Sequence, residues 1–198
     1  MKLIIIRHGE TEENAAGIIH GQSNGILSKE GIKQAQLVGE RLKDEKIDVI
    51  YTSDLERTLN TAKEIHKHHP EVPLIERKEI REIHYGNLQN KQKDEINYYY
   101  HKENDPNYFK KNNVESLESA YERVNKFLKE IKEKHKDETM VIVSHGDIIK
   151  VIFMILKNIK IHEVDLIPHK KNLIKKNTGV SIFENGKFTI TNCVKHLD

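Results

Sequence analysis

The 198-residue chain contains one cysteine, no tryptophan and no long run of apolar residues. With only Cys193 available, no disulfide can form within the chain, which fits the reducing environment of the cytoplasm. No apolar stretch reaches the roughly 18 residues that a membrane-spanning helix needs, so we expect none. The apolar run at residues 3–6 is too short for the apolar part of a signal peptide. We therefore expect a cytoplasmic protein.

The chain also lacks an excess of charge of either sign. Its 33 basic and 31 acidic residues give a formal net charge of +2. Proteins that bind nucleic acids or membrane surfaces usually carry a large positive excess, so we expect neither kind of partner. Cysteine pairs and His–carboxylate spacings typical of metal sites are missing too. The length suits one hydrophobic core, and we predict a single domain over residues 1–198.

Short apolar runs alternate along the chain with segments of helical period. The predicted strands are at residues 3–6, 49–52, 74–75 and 140–143. One predicted helix is capped by Ser28, and three others span residues 55–68, 116–136 and 147–156. Such alternation indicates a mostly parallel sheet with helices on both faces. The sequence therefore predicts a three-layer α/β sandwich.

Three details refine this fold prediction. In the helix after Ser28, the apolar residues expected on the inward face are Ile32, Ala35, Val38 and Leu42. In the helix at 116–136 they are Leu117, Ala120, Val124, Phe127, Leu128 and Ile131. The pair Asn185-Gly186 between two short apolar runs predicts a tight hairpin, which should add an antiparallel edge to the sheet.

Residues 86–114 differ from the rest of the chain. They are polar, rich in lysine and asparagine, and include three consecutive tyrosines at 98–100. We interpret them as a partly helical excursion over the sheet. Both a lid over a site and a plain surface insertion fit this composition.

Cationic side chains follow three of the predicted strands. Arg7 and His8 come directly after the first strand. Arg57 follows the second through a short turn, and His145 comes just after the fourth. Because ligands of open α/β sheets bind beyond the carboxyl ends of the strands, these side chains should converge at one edge. Their mutual repulsion would be relieved by a dianion, and the planar arginine group suits phosphate. The sequence therefore predicts a phosphate site.

Neighbouring residues extend this predicted site. Gly9 and Gly146 each follow a histidine directly, and without a side chain their backbone N–H groups can approach an anion. We count Gly146 and the adjacent Asp147 among the substrate-binding residues. Tyr85 is included as a contact for an aromatic or sugar group, and the tyrosines at 98–100 fit either such a contact or lid packing.

Six short blocks, spread over nearly the whole chain, form an ordered set. They are Arg7-His8-Gly9-Glu10-Thr11 with Asn14, Tyr51-Thr52-Ser53-Asp54-Leu55-Glu56-Arg57-Thr58 continuing to Thr61-Ala62, Arg81-Glu82 with Gly86, Glu115-Ser116 with Arg123-Val124, Val143-Ser144-His145-Gly146, and Asn177-Thr178. In this order the blocks resemble the histidine phosphatase superfamily, the phosphoglycerate mutase-like proteins. Arg-His-Gly alone is a weak signal, but the ordered set is very specific.

The resemblance implies a phosphoglycerate mutase-like fold and hydrolysis of small-molecule phosphomonoesters, releasing inorganic phosphate without a metal or cofactor. It implies that His8 is the nucleophile that forms a phosphohistidine. It also implies that Glu82 protonates the leaving oxygen and then deprotonates the attacking water. The residues implied to hold the phosphoryl oxygens are Arg7, Arg57 and His145. Those implied to line the pocket are Asn14, Gly21 and Gln22.

These roles agree with independent chemistry. A nucleophilic histidine must be neutral, and flanking arginines disfavour its protonation. Covalent catalysis divides one difficult displacement into two easier steps. A proton donor such as Glu82 must be partly protonated, which a pocket with limited solvent favours. Without the motif, we would interpret Glu82 as a surface residue that forms an ion pair with Arg81 or Arg77.

The sequence departs from the family pattern around the pocket. Where many relatives have Asp and Pro in the loop after the first motif, this chain has Asn24 and Ile26. Where many have a Glu-Gly pair after Gly86, it has Gln89-Asn90, and Val114 takes the place of a glycine. None of these changes removes a proposed catalytic group. They shape the pocket, so the substrate of any one relative is not carried over.

Three alternatives remain beside the phosphatase. A cofactor-dependent phosphoglycerate mutase would use the same phosphohistidine, although true mutases carry longer insertions over the substrate. A non-catalytic phosphate-binding module would retain the pocket without turnover. A metalloenzyme could use His66, His68 and His69, which read more simply as a solvated helix end. The lysine-rich stretch at 157–176 could steer anionic substrates or be solvated surface.

Overall fold

The computed structural model describes residues 1–103, 107–160 and 176–198. The strands are β1 (Lys2–Arg7), β2 (Val49–Thr52), β3 (Leu74–Glu76), β4 (Thr139–Ser144), β5 (Val180–Glu184) and β6 (Lys187–Cys193). The α-helices are α1 (Glu12–Ala15), α2 (Lys29–Leu42), α3 (Glu56–His66), α4 (Lys93–Glu103), α5 (Tyr108–Lys111), α6 (Leu117–Lys134) and α7 (Gly146–Leu156). Short 3₁₀ turns occur at Lys78–Ile80, Gly86–Leu88 and Lys195–Leu197.

The strands of the described residues form one mixed sheet in the order β3-β2-β4-β1-β5-β6. The first four strands in this order run parallel, whereas β5 pairs antiparallel with both β1 and β6. In the register of β1 and β4, Arg7 lies opposite Ser144. The residues that follow these two strands, His8 and His145, therefore leave the sheet side by side at its carboxyl edge.

The apolar strands alternate between the two faces of the sheet, as the period of a β-strand requires. Leu3 and Ile5 of β1 pack in a cluster with α6 and α7. Ile4 and Ile6 pack on the opposite face with α2 and α3. All four are buried, because helices cover both faces. The predicted three-layer α/β sandwich is confirmed.

The hairpin between β5 and β6 follows the predicted turn. Asn185 and Gly186 both have positive φ, 52° and 76°, which a tight two-residue turn of this hand requires. Asparagine and glycine tolerate this conformation at the lowest cost. The predicted antiparallel edge is confirmed.

One inward position of α2 was wrongly predicted. Ile32 is 45% exposed, although Ala35, Val38 and Leu42 are buried as expected. The helix instead turns Gly31 inward, where a Cβ atom would lie only 1.8 Å from the carbonyl oxygen of Glu10. This backbone contact, rather than apolar spacing, sets the orientation of the first turn.

Helix α6 presents the predicted apolar face to the sheet. Its buried residues are Ala120, Val124, Phe127, Leu128 and Ile131, and Leu117 packs against them partly buried. Among the described residues, no helix is both long and apolar enough to cross a membrane. The lysine-rich stretch at 157–176 lies largely outside the described residues.

The polar excursion has a small core of its own. Leu88, Ile96 and Tyr108 are buried together, and Tyr85 and Val114 are among the partly buried residues packed against them. The partly helical character expected for residues 86–114 is present in α4 and α5. Of the three consecutive tyrosines, Tyr99 is exposed, and the side chains at 98 and 100 lie outside the described part.

Candidate active site

His8 lies at the point where β1 leaves the sheet, and only 3% of the residue is exposed. Its backbone N–H donates to the carbonyl oxygen of Ser144 over 3.0 Å, which continues the pairing of β1 with β4. Its ring atom Nδ1 lies 2.7 Å from the carbonyl oxygen of Gly9. A carbonyl only accepts, so Nδ1 carries the proton and Nε2 keeps its lone pair. Burial, with the charges of Arg57 and Arg7, lowers the pKa of His8 well below its ordinary value.

His145 occupies the matching place after β4. It is fully buried, and its ring centroid lies 5.3 Å from that of His8. Neither of its ring nitrogens has a hydrogen-bond partner among the described residues. Burial, followed by the charge of Arg57, lowers its pKa well below the ordinary value. The site thus holds two neutral imidazoles side by side.

Arg57 brings a buried guanidinium group from the first turn of α3, with 1% of the residue exposed. Its Nη1 and Nη2 atoms donate to the carbonyl oxygens of Ser23 and Gly21 over 2.9 and 2.7 Å. Its Nε has no partner among the described residues. Burial lowers the pKa of Arg57 to about 10. Because a buried donor without an acceptor is costly, this group is suited to receive an anionic oxygen.

Arg7 and Gly146, each next to one of the two histidines in the sequence, lie close together. A Cβ atom on Gly146 would lie 3.7 Å from Nε of Arg7 and 4.0 Å from Oε2 of Glu82. Burial lowers the pKa of Arg7, while the charges of Glu82 and Asp147 raise it. The first helical residue of α7 therefore passes close to both an arginine and the candidate acid.

Glu82 follows the 3₁₀ turn after β3. Its Oε1 accepts a hydrogen bond from the backbone N–H of Ile83 over 3.0 Å, and its Oε2 accepts one from that of Asp147 over 3.3 Å. Burial and the negative charge of Asp147 raise the pKa of Glu82 to about 7. The carboxyl group can therefore donate a proton near neutral pH, as a general acid must.

The loop residues Asn14, Gly21 and Gln22 border this centre mainly through hydrogen bonds to the protein. Thr11 caps α1, and Asn14 completes a reciprocal pair of hydrogen bonds with it. Gly21 has a positive φ of 56° and turns its carbonyl oxygen to Arg57. The side-chain amide of Gln22 donates to the carbonyl oxygen of Glu82 over 2.9 Å. These contacts link the loop to Arg57 and to the candidate acid.

Tyr85 and Asp147 form a pair beside Glu82. The hydroxyl group of Tyr85 donates to Oδ2 of Asp147 over 2.9 Å. Lys150 donates to Oδ1 of the same carboxylate over 2.6 Å. Burial, followed by the charges of Asp147 and Glu82, raises the pKa of Tyr85, so the hydroxyl group stays protonated.

Two supporting residues of the site were not given a role by the sequence. Arg123 of α6 donates to the backbone carbonyl oxygens of Glu79, Arg81 and Glu82. Gln89 accepts from the backbone N–H of Gln22 through Oε1, over 2.8 Å. The sequence did draw attention to both residues, because Arg123 belongs to one of the matched blocks and Gln89 departs from the family pattern. Neither observation indicates which backbone groups the two side chains contact.

The histidines at the end of α3 are engaged with the backbone. His66 and His69 form hydrogen bonds through Nε2 with the carbonyl oxygens of Val72 and Leu42, over 2.9 and 3.0 Å. In the part of the chain that the structure describes, no three His, Cys, Asp or Glu side chains are grouped closely enough to hold a metal ion.

A cavity of about 550 Å³ lies away from these residues, between α6, α7 and the β5–β6 turn. Its lining includes Leu128, Ile155 and Phe183, with Lys129 and Lys132, and contains no carboxylate or histidine. It is therefore not suited to proton transfer or to nucleophilic attack by a histidine.

A neutral histidine with a free Nε2 lone pair, one buried and one partly buried arginine, and a carboxyl group with a raised pKa form a candidate site for phosphate esters. The chain belongs to branch 1 of the histidine phosphatase superfamily, whose family model matches residues 3–192. It is thus a member of a phosphatase family with a phosphoglycerate mutase-like fold.

Individual relatives agree with this assignment. The chain is 35% identical to a metal-independent phosphoserine phosphatase of Arabidopsis thaliana, over 77% of this chain and 67% of that protein. It is 32% identical to a phosphoglycerate mutase of Schizosaccharomyces pombe, over 79% and 80%. A crystal structure of a phosphoserine phosphatase mutant from Entamoeba histolytica, in complex with phosphoserine, superposes with a TM-score of 0.78 at 29% identity, covering 100% of this chain and 99% of the other.

Proposed function

We propose that this protein is a metal-independent phosphatase that hydrolyses small phosphomonoesters through a phosphohistidine on His8. The observation that carries this proposal is the state of the His8 ring. Its Nδ1 is tied to the carbonyl oxygen of Gly9, and its protonation is disfavoured by burial and by two arginines. This combination leaves Nε2 as a neutral nucleophile facing a cationic site.

In the first step, the Nε2 lone pair of His8 attacks the phosphorus atom and forms an N–P bond. The bond from phosphorus to the ester oxygen breaks, and its electron pair goes to that oxygen. Glu82 transfers its proton to the same oxygen, so the alcohol leaves neutral. The raised pKa of Glu82 supports this role, because an alkoxide leaves poorly without a proton.

In the second step, the carboxylate of Glu82 takes a proton from a water molecule, and the water oxygen attacks the phosphohistidine. The N–P bond breaks, and its electron pair returns to Nε2 of His8. Inorganic phosphate is released, and Glu82 is protonated again. Both groups thus regain their starting states in each cycle.

The protein's own cations and hydrogen-bond donors can hold the transferred group. Arg7, Arg57 and His145 border His8, and Arg57 has a buried Nε free of partners among the described residues. Preorganised donors of this kind stabilise the charge on the equatorial phosphoryl oxygens. They supply the charge that a metal ion provides in other phosphatases.

Phosphoserine is the first substrate to test. A relative named for activity on phosphoserine matches most of this chain, and a neighbouring structure was solved with phosphoserine bound. The names of the Arabidopsis relative and of the Entamoeba structure thus both support a small-molecule phosphate ester as the substrate of this protein.

We further propose a single domain in the cytoplasm with residues 86–114 as a lid. The lone cysteine supports this location. The lid proposal is supported by the cluster of Leu88, Ile96 and Tyr108, against which Tyr85 packs. The hydroxyl group of Tyr85 donates to Asp147, which lies next to Glu82. Movement of this cluster would therefore displace groups that contact Glu82.

The test of function is the release of inorganic phosphate from phosphoserine, 3-phosphoglycerate, a ribazole phosphate and p-nitrophenyl phosphate, with excess chelator present. We expect release in chelator, and kcat/KM will rank the substrates. Interconversion of phosphoglycerates without net phosphate release would establish the mutase instead. Binding of phosphate without turnover of any ester would establish a binding module.

The test of mechanism uses His8→Ala. We expect it to abolish turnover and to remove the acid-labile phosphoenzyme that rapid quenching traps in the unmodified protein. His68→Ala is the matched control, because His68 lies in the turn after α3, partly exposed and near Glu40. Full activity of His8→Ala would overturn the phosphohistidine mechanism.

A further inference from the structure

Glu82 contacts the start of α7, where Asp147 brings a second carboxyl group, and only Glu82 has a role in the proposed reaction. The backbone N–H of Asp147 donates to Oε2 of Glu82, which joins the acid directly to the first turn of the helix. The side chain of Asp147 accepts hydrogen bonds from Tyr85 and Lys150, over 2.9 and 2.6 Å. Hydrogen bonds therefore hold both carboxyl groups in place, that of Glu82 through the backbone of α7 and that of Asp147 through Tyr85 and Lys150.

The two carboxyl groups have different environments. Asp147 lies in the first turn of α7, where the helix dipole favours negative charge, and its side chain is 31% exposed. Burial works against its charged form, but the charge of Lys150 and the hydrogen bonds from Lys150 and Tyr85 outweigh burial and lower its pKa. Asp147 is therefore ionised at neutral pH. Glu82, which has no lysine partner among the described residues, keeps a raised pKa.

Other charged groups face the pair from the surrounding elements. They are Arg7 of β1, Arg57 of α3 and Arg123 of α6, together with the neutral rings of His8 and His145, which follow β1 and β4. The charge of Arg57 lowers the pKa of Glu82, whereas the charge of Asp147 raises it. With the arginines alone as neighbours, Glu82 would lose its proton more readily.

We propose that Asp147 is a positioning residue whose fixed negative charge keeps the proton on Glu82 at neutral pH, while its backbone N–H holds the Glu82 carboxyl group in place. The proposal rests on the function proposed for Glu82. The environments of the two carboxyl groups shift their pKa values in opposite directions, so that Asp147 stays charged and Glu82 can act as an acid. The arrangement extends the working range of the enzyme from acidic to neutral pH.

The test is the alkaline limb of the pH profile of kcat/KM for phosphoserine, which reports loss of the proton from Glu82. In Asp147→Asn, the shape is retained and the side-chain oxygen can still accept from Tyr85. We expect the limb to move to lower pH by about one unit, a typical size for the effect of a neighbouring charge. Asp147→Glu keeps the charge and should keep the limb near its original position. An unmoved limb in Asp147→Asn would overturn the proposal.

Two controls separate this effect from a general change in charge. Asp137→Asn alters the net charge equally at the loop before β4, on the opposite edge of the sheet from His145, and should leave the limb unmoved. Lys150→Met removes the cationic partner of Asp147 and should leave the limb unmoved or shift it to higher pH. A shift to lower pH in either control would contradict the assignment to Asp147.

A measurement without turnover distinguishes this inference from the proposed function. The carboxyl carbon of Glu82 can be titrated by NMR in protein labelled with ¹³C-glutamate, with Glu82→Gln identifying the signal. We expect its midpoint to fall in Asp147→Asn. If no ester is hydrolysed by the unmodified protein, the proposed function fails and this titration still decides the inference. If hydrolysis occurs but neither limb nor midpoint moves, only the inference fails.

Discussion

The guanidinium group of Arg123 donates a hydrogen bond over 3.2 Å to the backbone carbonyl oxygen of Glu82. The same group donates to the carbonyl oxygens of Glu79 and Arg81, over 2.7 and 2.8 Å. Helix α6 therefore holds the segment that carries the candidate acid by its backbone. Glu115, which accepts from Nε of Arg123 over 2.7 Å, in turn fixes the arginine.

Replacement of Arg123 should lower activity by misplacing Glu82. In Arg123→Met, we expect kcat for phosphoserine to fall roughly 100-fold, since a displacement of about 1 Å can cost this much. Steady-state kinetics measure the loss. Glu115→Gln is the matched control, because it removes the charge pair but leaves the donors to the three carbonyl oxygens. If the two variants lose equal activity, the backbone contacts are not what positions the acid.

Replacement of Glu82 should affect poor leaving groups most. Glu82→Gln keeps the shape of the side chain but has no proton to transfer, so hydrolysis of phosphoserine should slow roughly 100- to 10,000-fold. Hydrolysis of p-nitrophenyl phosphate, whose leaving group needs little protonation, should slow far less. The ratio of the two kcat/KM values is the measurement.

Glu79→Gln is the control for Glu82→Gln. Glu79 lies in the same segment, but both oxygens of its carboxylate accept hydrogen bonds from Arg77. Its replacement should leave the ratio unchanged. Equal slowing of both esters in Glu82→Gln would show that Glu82 supports the site without donating a proton.

The two site histidines should remain neutral well below pH 6.5, because burial lowers both pKa values. Imidazole ¹⁵N spectra between pH 5.5 and 8 should show His8 with its proton on Nδ1, the atom that faces the carbonyl oxygen of Gly9. A protonated ring at pH 7 would contradict the proposed nucleophile.

The same pKa direction predicts how stability changes with pH. Below about pH 6.5, histidines of the unfolded chain bind protons that folded His8 and His145 do not bind. The free energy of unfolding should therefore decrease as the pH falls, by up to about 1.4 kcal/mol per pH unit for each histidine. Urea unfolding at pH 7 and 5.5 measures this decrease, and His8→Asn should lessen it.

The parts of this molecule that follow from local pattern or from the geometry of parallel strands were predicted, and the individual long-range contacts of side chains with the backbone were not. The alternation in β1 and the turn at Asn185-Gly186 are set by neighbouring residues, and the sequence indicated both. The convergence of His8 and His145 followed from the geometry of parallel strands. Helical spacing could not show that Arg123 reaches carbonyl oxygens 41 to 44 residues earlier in the chain.

The exposure of Ile32 has the same origin. Apolar spacing placed it inward, but the first turn of α2 is oriented by the approach of Gly31 to the backbone of Glu10. A contact between two backbones leaves no trace in hydrophobic periodicity. Glycine is the residue that permits it, yet a glycine within a helical pattern does not indicate which backbone lies against it.

This approach of Gly31 to Glu10 gives a prediction about stability. In Gly31→Ala, the new Cβ atom would lie 1.8 Å from the carbonyl oxygen of Glu10, a clash that only backbone movement can relieve. We expect a loss of more than about 2 kcal/mol in the free energy of unfolding, although alanine is the better helix former. Activity should fall as well, because Glu10 lies two residues after His8.

Gly146→Ala is the matched control for stability, since both glycines lie in the first turn of a helix. At Gly146 the nearest atom to a new Cβ is 3.7 Å away, which is ordinary contact. This variant should be as stable as the unmodified protein, or more stable by up to about 1 kcal/mol, because alanine loses less backbone entropy in a helix. Urea unfolding of the two variants measures the difference. Equal stability of the two variants would show that the backbone at Gly9 and Glu10 can shift at little energetic cost. In that case α2 would not hold this segment in place next to His8.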